Sequence, residues 1–283
     1  MKSFDDKVVV ITGAGSGIGR ALALDFARRG ALLALSDVNE TGLAETVAQV
    51  TAQGVRQVRS DRLDVADRTA FGAYAEEIAA HFGRVNVVVN NAGVALSGPF
   101  TDLEWDDIDW IVGIDFWGVV HGSKFFLPHL IASGDGHLVN ISSLFGLISM
   151  PTQSMYNASK YAVRGMSESI REEMLAFGHP VGVTVVHPGG IKTAVARSAR
   201  YAATENAVES AAHFDQKLAR MSPEDAAEVI IKGVIKNKAR VLVGIDAHIV
   251  HNLAKALGSR YQDLFAAQYV RTTPQPGRST PSR

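Results

Sequence analysis

Short β-branched and aliphatic runs recur along the chain at 8–12, 31–36, 55–59, 85–90, 137–142, 181–186 and 240–243, and longer stretches of helical period separate them. This alternation is the sequence sign of βαβ units and a parallel sheet. Several runs are apolar almost without interruption, as strands covered on both faces by helices must be. The pattern predicts an α/β fold: one doubly wound, seven-stranded parallel sheet with helices on both faces. Helices are expected over 17–29, 40–53, 68–82, 105–130 and 154–177, and over 221–237, where Ser222-Pro223-Glu224-Asp225 supplies a cap, a first-turn proline and two early acids. No repeat or Pro/Ser/Gly linker divides the chain, so a single domain is expected over 1–271. Residues 272–283 have no apolar anchor and read as a disordered tail.

Composition narrows the function. The 28 Lys and Arg balance 29 Asp and Glu, which leaves no global field for nucleic acid or anionic lipid. Cysteine is absent, which excludes disulfides, thiolate nucleophiles and cysteine-bound metal. The short charged stretch before Lys7 lacks the apolar core of a signal peptide, and no uncharged run reaches the roughly 18 residues a bilayer span needs. A cytoplasmic protein without integral membrane association is expected. His248 and His251 share a helix face but lack a third ligand, so no metal is expected. Phosphate-loop Gly-Lys-Ser/Thr and Gly-x-Ser-x-Gly motifs are both missing.

The first apolar run ends in Thr12-Gly13-Ala14-Gly15-Ser16-Gly17-Ile18-Gly19, after which Ala21, Leu22, Leu24 and Phe26 begin a helix. Glycines in a strand-to-helix turn let a ligand approach the backbone, and the helix N-terminus attracts a pyrophosphate. Asp37 follows Gly19 by 18 residues, at the end of the second run, where an acid accepts hydrogen bonds from ribose hydroxyls. A 2′-phosphate there would meet a like charge, and neither Ser16 nor Val38 offers a cation to offset it. The expected cofactor is NAD in preference to NADP. Asp37 also reads as a turn acid ahead of Asn39 and Glu40.

Tyr156 and Lys160 are four residues apart, on one helix face, and a cation beside a phenol favours its ionisation. Ser143 lies 13 residues before Tyr156, just past the fifth run, where its hydroxyl can steady a substrate oxygen. Together, Thr12-Gly13-x-x-x-Gly17-x-Gly19, Asn90-Asn91-Ala92-Gly93, Ser143, Tyr156-x-x-x-Lys160 and Pro188-Gly189 resemble the short-chain dehydrogenase/reductase family, from about residue 5 to residue 193. The resemblance implies a Rossmann-like sheet and direct hydride transfer between cofactor and substrate. It implies Tyr156 as general acid/base and Ser143 as the oxygen-binding group. Lys160 is expected to hold the nicotinamide ribose and lower the tyrosine pKa. By the same resemblance Ser16, Ile18, Pro188 and Gly189 border the cofactor with the glycines of the turn, Asp64 and Val65 lie near its adenine, Asn91 and Gly93 near its ribose, and Ile191 and Thr193 near its carboxamide. A homodimer or homotetramer formed through 105–130 and 154–177 is implied as well.

The chain departs from the family where an asparagine usually stands 24 positions after the second asparagine of Asn-Asn-Ala-Gly; here it is Asp115. Aspartate keeps the acceptor but loses the donor. Such a carboxylate is expected to favour the charged form of Lys160 and to alter the pH optimum. After Thr193, residues 194–220 occupy the place of the family's variable substrate lid, with Val195, Tyr201, Val208 and Phe214 on an alanine-rich background. Leu96, Phe145, Leu147, Met150 and Met155 add candidate apolar walls, so the expected substrate is a hydrophobic secondary alcohol or ketone. Arg197 and Arg200 read as solvated helix charges or as contacts for a carboxylate or phosphate. Residues 247–270, mixed apolar and basic, read as one helix that closes over the site, forms a partner surface or rests on a membrane. Two alternatives remain: a cofactor-binding regulatory or scaffold protein with little turnover, and a reductase of acyl or sugar substrates.

Overall fold

In the computed structural model, which describes residues 1–195, 198–213, 216 and 219–272, the first strand, β1 (Val8–Thr12), is buried along its whole length. Val9 and Ile11 enter one apolar cluster and Val10 another, so consecutive side chains serve opposite faces of one sheet. The other strands are β2 (Leu32–Asp37), β3 (Val58–Arg62), β4 (Val87–Asn90), β5 (Leu96–Ser97), β6 (Gly136–Ile141), β7 (Val181–Pro188), β8 (Arg200–Tyr201) and β9 (Arg240–Val243). Seven of them form an all-parallel sheet in the order β3-β2-β1-β4-β6-β7-β9. The order reverses between β1 and β4, which opens a crevice beyond their C-terminal ends.

Helices α1 (Gly17–Arg28), α2 (Glu40–Ala52) and α8 (Pro223–Ile235) cover one face through Leu22, Phe26, Val50 and Ile230. The opposite face takes α3 (Arg68–Phe82), α5 (Gly118–Ala132) and α6 (Ser154–Ala176) through Phe71, Ile78, Phe126, Leu130 and Met174. Asn39, Asp67 and Ser222 cap α2, α3 and α8 with side-chain oxygens.

The structure departs from the sequence expectation at several points. The third strand begins at Val58 and carries Arg59 and Asp61, because an edge strand leaves polar residues beside solvent; Val55 follows the Gly54 turn at φ +80° and packs from the loop. The expected helix 105–130 is split into α4 (Trp105–Val112) and α5 by a π turn at Gly113–Trp117, and this turn points Asp115 inward. Residues 247–270 form two helices, α9 (Ile245–Leu257) and α10 (Tyr261–Thr272), separated where Gly258 takes a φ of +57°. A parallel ribbon of β5 with β8 was not anticipated. Helix α7 (Ala207–His213) lies in the expected lid, whereas Arg197, Phe214 and the tail from 273 fall outside the described residues. Among the described residues no helix is long and apolar enough to cross a membrane.

Candidate active site

The crevice is a cleft of about 2050 Å³, and its floor at one end is the glycine turn. Gly13 turns the chain at φ +66° so close to the β4 loop that a Cβ would lie 2.8 Å from Ala92 Cα. At Gly19 a Cβ would sit 2.1 Å from the Gly13 oxygen, which no side chain can do. Asn91 locks this arrangement: its amide donates to the carbonyls of Thr12 at 3.0 Å and Gly13 at 3.1 Å. The Asn91 amide is therefore committed to the turn, although the residue also borders the cleft. Helix α1 starts at Gly17, and Ser16, its N-cap residue, makes no side-chain capping bond. Ser16, Gly17 and Ile18 line the cleft, where the first amides of α1 have no earlier turn to donate to.

Asp37 reaches the same end of the cleft. Its Oδ2 accepts from the Gly15 amide at 2.8 Å and its Oδ1 from the Asn39 amide at 2.9 Å, so it serves as turn acid and cleft wall together. The nearby guanidinium of Arg20 is occupied by the Gly15 and Gly42 carbonyls, by Glu45 at 2.9 Å and by Thr46 at 2.9 Å. Asp64 and Val65 border this end too, while Pro188, Gly189, Ile191 and Thr193 form the facing wall. The polar groups here fit a dinucleotide: helix amides to donate to a pyrophosphate, a carboxylate to accept from ribose hydroxyls.

Ser143, Tyr156 and Lys160 meet in the middle of the cleft. Ser143 lies two residues past β6 and opens a tight turn, accepting from the Phe145 amide at 3.1 Å, and its hydroxyl also engages the Tyr156 phenol. Lys160 lies one turn beyond Tyr156 on α6, its Nζ 5.5 Å from the tyrosine ring centroid. The π turn brings Asp115 against it: Oδ2 is 3.0 Å from Lys160 Nζ, with side-chain exposures of 0% and 5%. The other Asp115 oxygen accepts from the Val94 amide at 2.7 Å. Gly93 keeps the space above the pair open, since a Cβ would come within 3.3 Å of both Asp115 Oδ1 and Lys160 Nζ.

The electrostatics follow from burial and this pair. Burial pushes the Asp115 carboxyl up, against the pull of Lys160 and the Val94 amide. Lys160 is raised although burial alone would lower it, because the Asp115 carboxylate holds its proton. Tyr156 is raised, first by burial; Lys160 works against this, and Asp115 adds to it. Lys160 thus pulls the phenol down, in the direction expected from the sequence, while burial and Asp115 outweigh that pull.

Phe145 and Met150 line the cleft as expected. Leu96 is instead buried within β5, Leu147 borders a separate cavity, and Met155 does not reach the cleft. From the lid, Val195 and Tyr201 contribute, while Val208 is exposed. Arg200 lies in β8 rather than in a helix, pairs with Asp107 at 2.9 Å and stacks 4.1 Å over Trp110. Val250 of α9 and Phe265 of α10 form part of the cleft wall, so the C-terminal helices close over the site.

Two residues escaped the sequence reading. Asp246 Oδ2 accepts from the Gly190 amide at 2.7 Å and so fixes the Pro188–Gly189 wall, a contact across 56 residues with no local signal. Asn157, inside the Tyr156–Lys160 motif, donates to the carbonyls of Phe145 and Ile148, both at 2.7 Å.

The chain and its fold have known counterparts. Residues 7–204 match the family described as short chain dehydrogenase. A Mycobacterium tuberculosis protein named "Putative oxidoreductase SadH" is 58% identical over 274 residues, 97% of this chain and 99% of that one. The crystal structure of a short chain dehydrogenase/reductase from Burkholderia phymatum in complex with NAD superposes with a TM-score of 0.84 at 30% identity, over 93% of this chain and 97% of that one. An alcohol dehydrogenase from Thermococcus sibiricus, complexed with 5-hydroxy-NADP, gives 0.71 at 26% identity, over 85% and 95%. With a family match over residues 7–204 and a relative 58% identical along nearly its whole length, the chain is an oxidoreductase of the short-chain dehydrogenase family.

Proposed function

We propose that the protein interconverts a hydrophobic secondary alcohol and its ketone with NAD(H). The observation that carries this reading is one continuous cleft bordered by the glycine turn and Asp37 at one end and by Ser143, Tyr156 and Lys160 in the middle. A bound nicotinamide dinucleotide supplies the hydride acceptor for oxidation or the hydride donor for reduction. Ser16, Gly17 and Ile18 would hold its pyrophosphate, Asp37 its adenosine ribose and Lys160 its nicotinamide ribose. Ser143 hydrogen-bonds the substrate oxygen. In oxidation, Tyr156 as phenolate takes the hydroxyl proton while the C–H electron pair leaves as hydride and the carbonyl forms; in reduction the phenol returns that proton. Asp115 holds Lys160 charged and in place through a buried ion pair.

Asp37 supports NAD over NADP, since a 2′-phosphate beside it meets like charge and the Arg20 guanidinium is already occupied. Phe145, Ile148, Met150, Val195, Val250 and Phe265 favour an apolar substrate body. Asp102, Glu205 and Glu209 also border the cleft and oppose an anionic substrate, which weighs against an acyl or sugar compound bearing phosphate. The test follows nicotinamide absorbance over aliphatic, aromatic and steroidal secondary alcohols with NAD and NADP. Tyr156→Phe is expected to lose at least about a hundredfold in turnover, and Asp37→Ser to narrow the preference for NAD. NAD binding without turnover on any compound would favour a cofactor-binding regulatory role.

A further inference from the structure

A second cavity, of about 350 Å³, shares no lining residue with the cleft. Four basic side chains from three elements border it: Arg164 on α6, Arg240 at the start of β9, and His251 and Lys255 on α9. Among the described residues one carboxylate, Glu168, pairs with them, accepting from Arg164 Nε at 3.2 Å and from Arg240. Three permanent cations thus face one anion. The Nε of Arg240 is buried without a partner, and among the described residues Lys255 pairs with no carboxylate. His251 registers the excess: burial, then the charges of Arg240, Arg164 and Lys255, hold its pKa below the ordinary value. Buried unpaired donors and clustered like charges are costly unless an anion joins them.

We propose that this cavity binds a small dianionic phosphate, either inorganic phosphate or a phosphate monoester, bridging α6 to α9. Guanidinium groups match phosphate oxygens in pairs, and Lys255 adds a point charge at the rim. The volume sits at the lower end for small-ligand sites, and Leu147 and Tyr261 give a short ester an apolar wall. Arg164 stands one turn beyond Lys160 on α6, while α9 and α10 carry Val250 and Phe265 of the cleft wall. A ligand here braces the catalytic helix against the helices that close the cleft.

The experiment is calorimetric titration of the full chain with inorganic phosphate and with phenyl phosphate, at ionic strength held constant with sodium chloride. Saturable binding of either is expected, weakened about tenfold or more by Lys255→Ala. Lys255 is exposed, so this variant should fold; Arg240→Gln is a second, more severe one. Phosphate bound at the glycine turn would be indifferent to Lys255. Binding equal in wild type and Lys255→Ala, or none above the chloride control, overturns the proposal. Tighter binding of phenyl phosphate assigns the ester, and equal or weaker binding assigns the free anion.

Discussion

At Asp115 a carboxylate replaces the family's usual asparagine, and the fold leaves it no access to water. Its charge acts on Tyr156 through space: a negative group nearby resists the second negative charge that a phenolate adds. Alcohol oxidation needs that phenolate, so its kcat/KM should rise with pH. Because Asp115 raises the phenol, Asp115→Asn lowers it, and the rise should move to lower pH in the variant. A profile measured in both proteins tests this; an unmoved limb, or one displaced upward, rules the coupling out. Stability is the second readout. Asparagine still accepts from the Val94 amide, whereas Asp115→Ala leaves both that amide and the buried ammonium without a partner. The alanine variant is expected to lose about 3–5 kcal/mol in urea denaturation, and the asparagine variant less.

Among the elements, the segment between β6 and α6 depends on one side chain. Asn157 donates to the Phe145 and Ile148 carbonyls and accepts from the Met150 amide at 3.3 Å. It therefore sets the segment that follows Ser143 and lends Phe145, Ile148 and Met150 to the cleft wall. Asn157→Ala leaves buried carbonyls unsatisfied, at a cost of about 1–3 kcal/mol. It should also lower kcat/KM about tenfold or more through misplacement of Ser143. A folded variant with wild-type kcat/KM would show that the segment holds its shape without this tether. Local pattern made the motif legible, since Tyr156 and Lys160 share a face by spacing alone, and the runs at β1, β4, β6 and β7 are apolar enough to mark central strands. The Asn157 bonds span up to 12 residues and the Asp246 bond 56, and no periodicity records such pairings. The break between α4 and α5 was hidden because Ile111, Ile114 and Val119 continue an apolar helical rhythm through the π turn. Gly258 did carry a signal, and the apolar spacing around it concealed the break between α9 and α10. Two-residue strands such as β5 and β8 are too short to leave any pattern.

For the molecule as a whole, two buried histidines are expected to make stability depend on pH. His137, on β6, bonds Thr184 at 2.8 Å, and Thr184 donates onward to the Lys238 carbonyl at 2.7 Å. The threonine proton is therefore in use, and the ring bears its proton on Nε2. His187, on β7, donates from Nδ1 to the Ser143 carbonyl at 2.8 Å and so also steadies the active-site turn. Burial is the main cause of both shifts, taking His137 down to about 3 and His187 to about 4 from an ordinary 6.5. The folded chain thus keeps both rings neutral at pH 5, where the unfolded chain protonates them. Their contribution is fully present above pH 6.5 and is lost as pH falls toward about 4, where His187 begins to charge in the folded state. Each group should give a slope on the order of 1.4 kcal/mol per pH unit across that window. Urea denaturation at pH 7.5, 6 and 5, above the range where most carboxylates titrate, measures it. His187→Asn keeps a donor for the Ser143 carbonyl but cannot bind a proton, so it should remove about half of the slope. Stability that stays level from pH 7.5 to 5, or a variant as steep as wild type, would mean that these rings take up protons without unfolding the sheet.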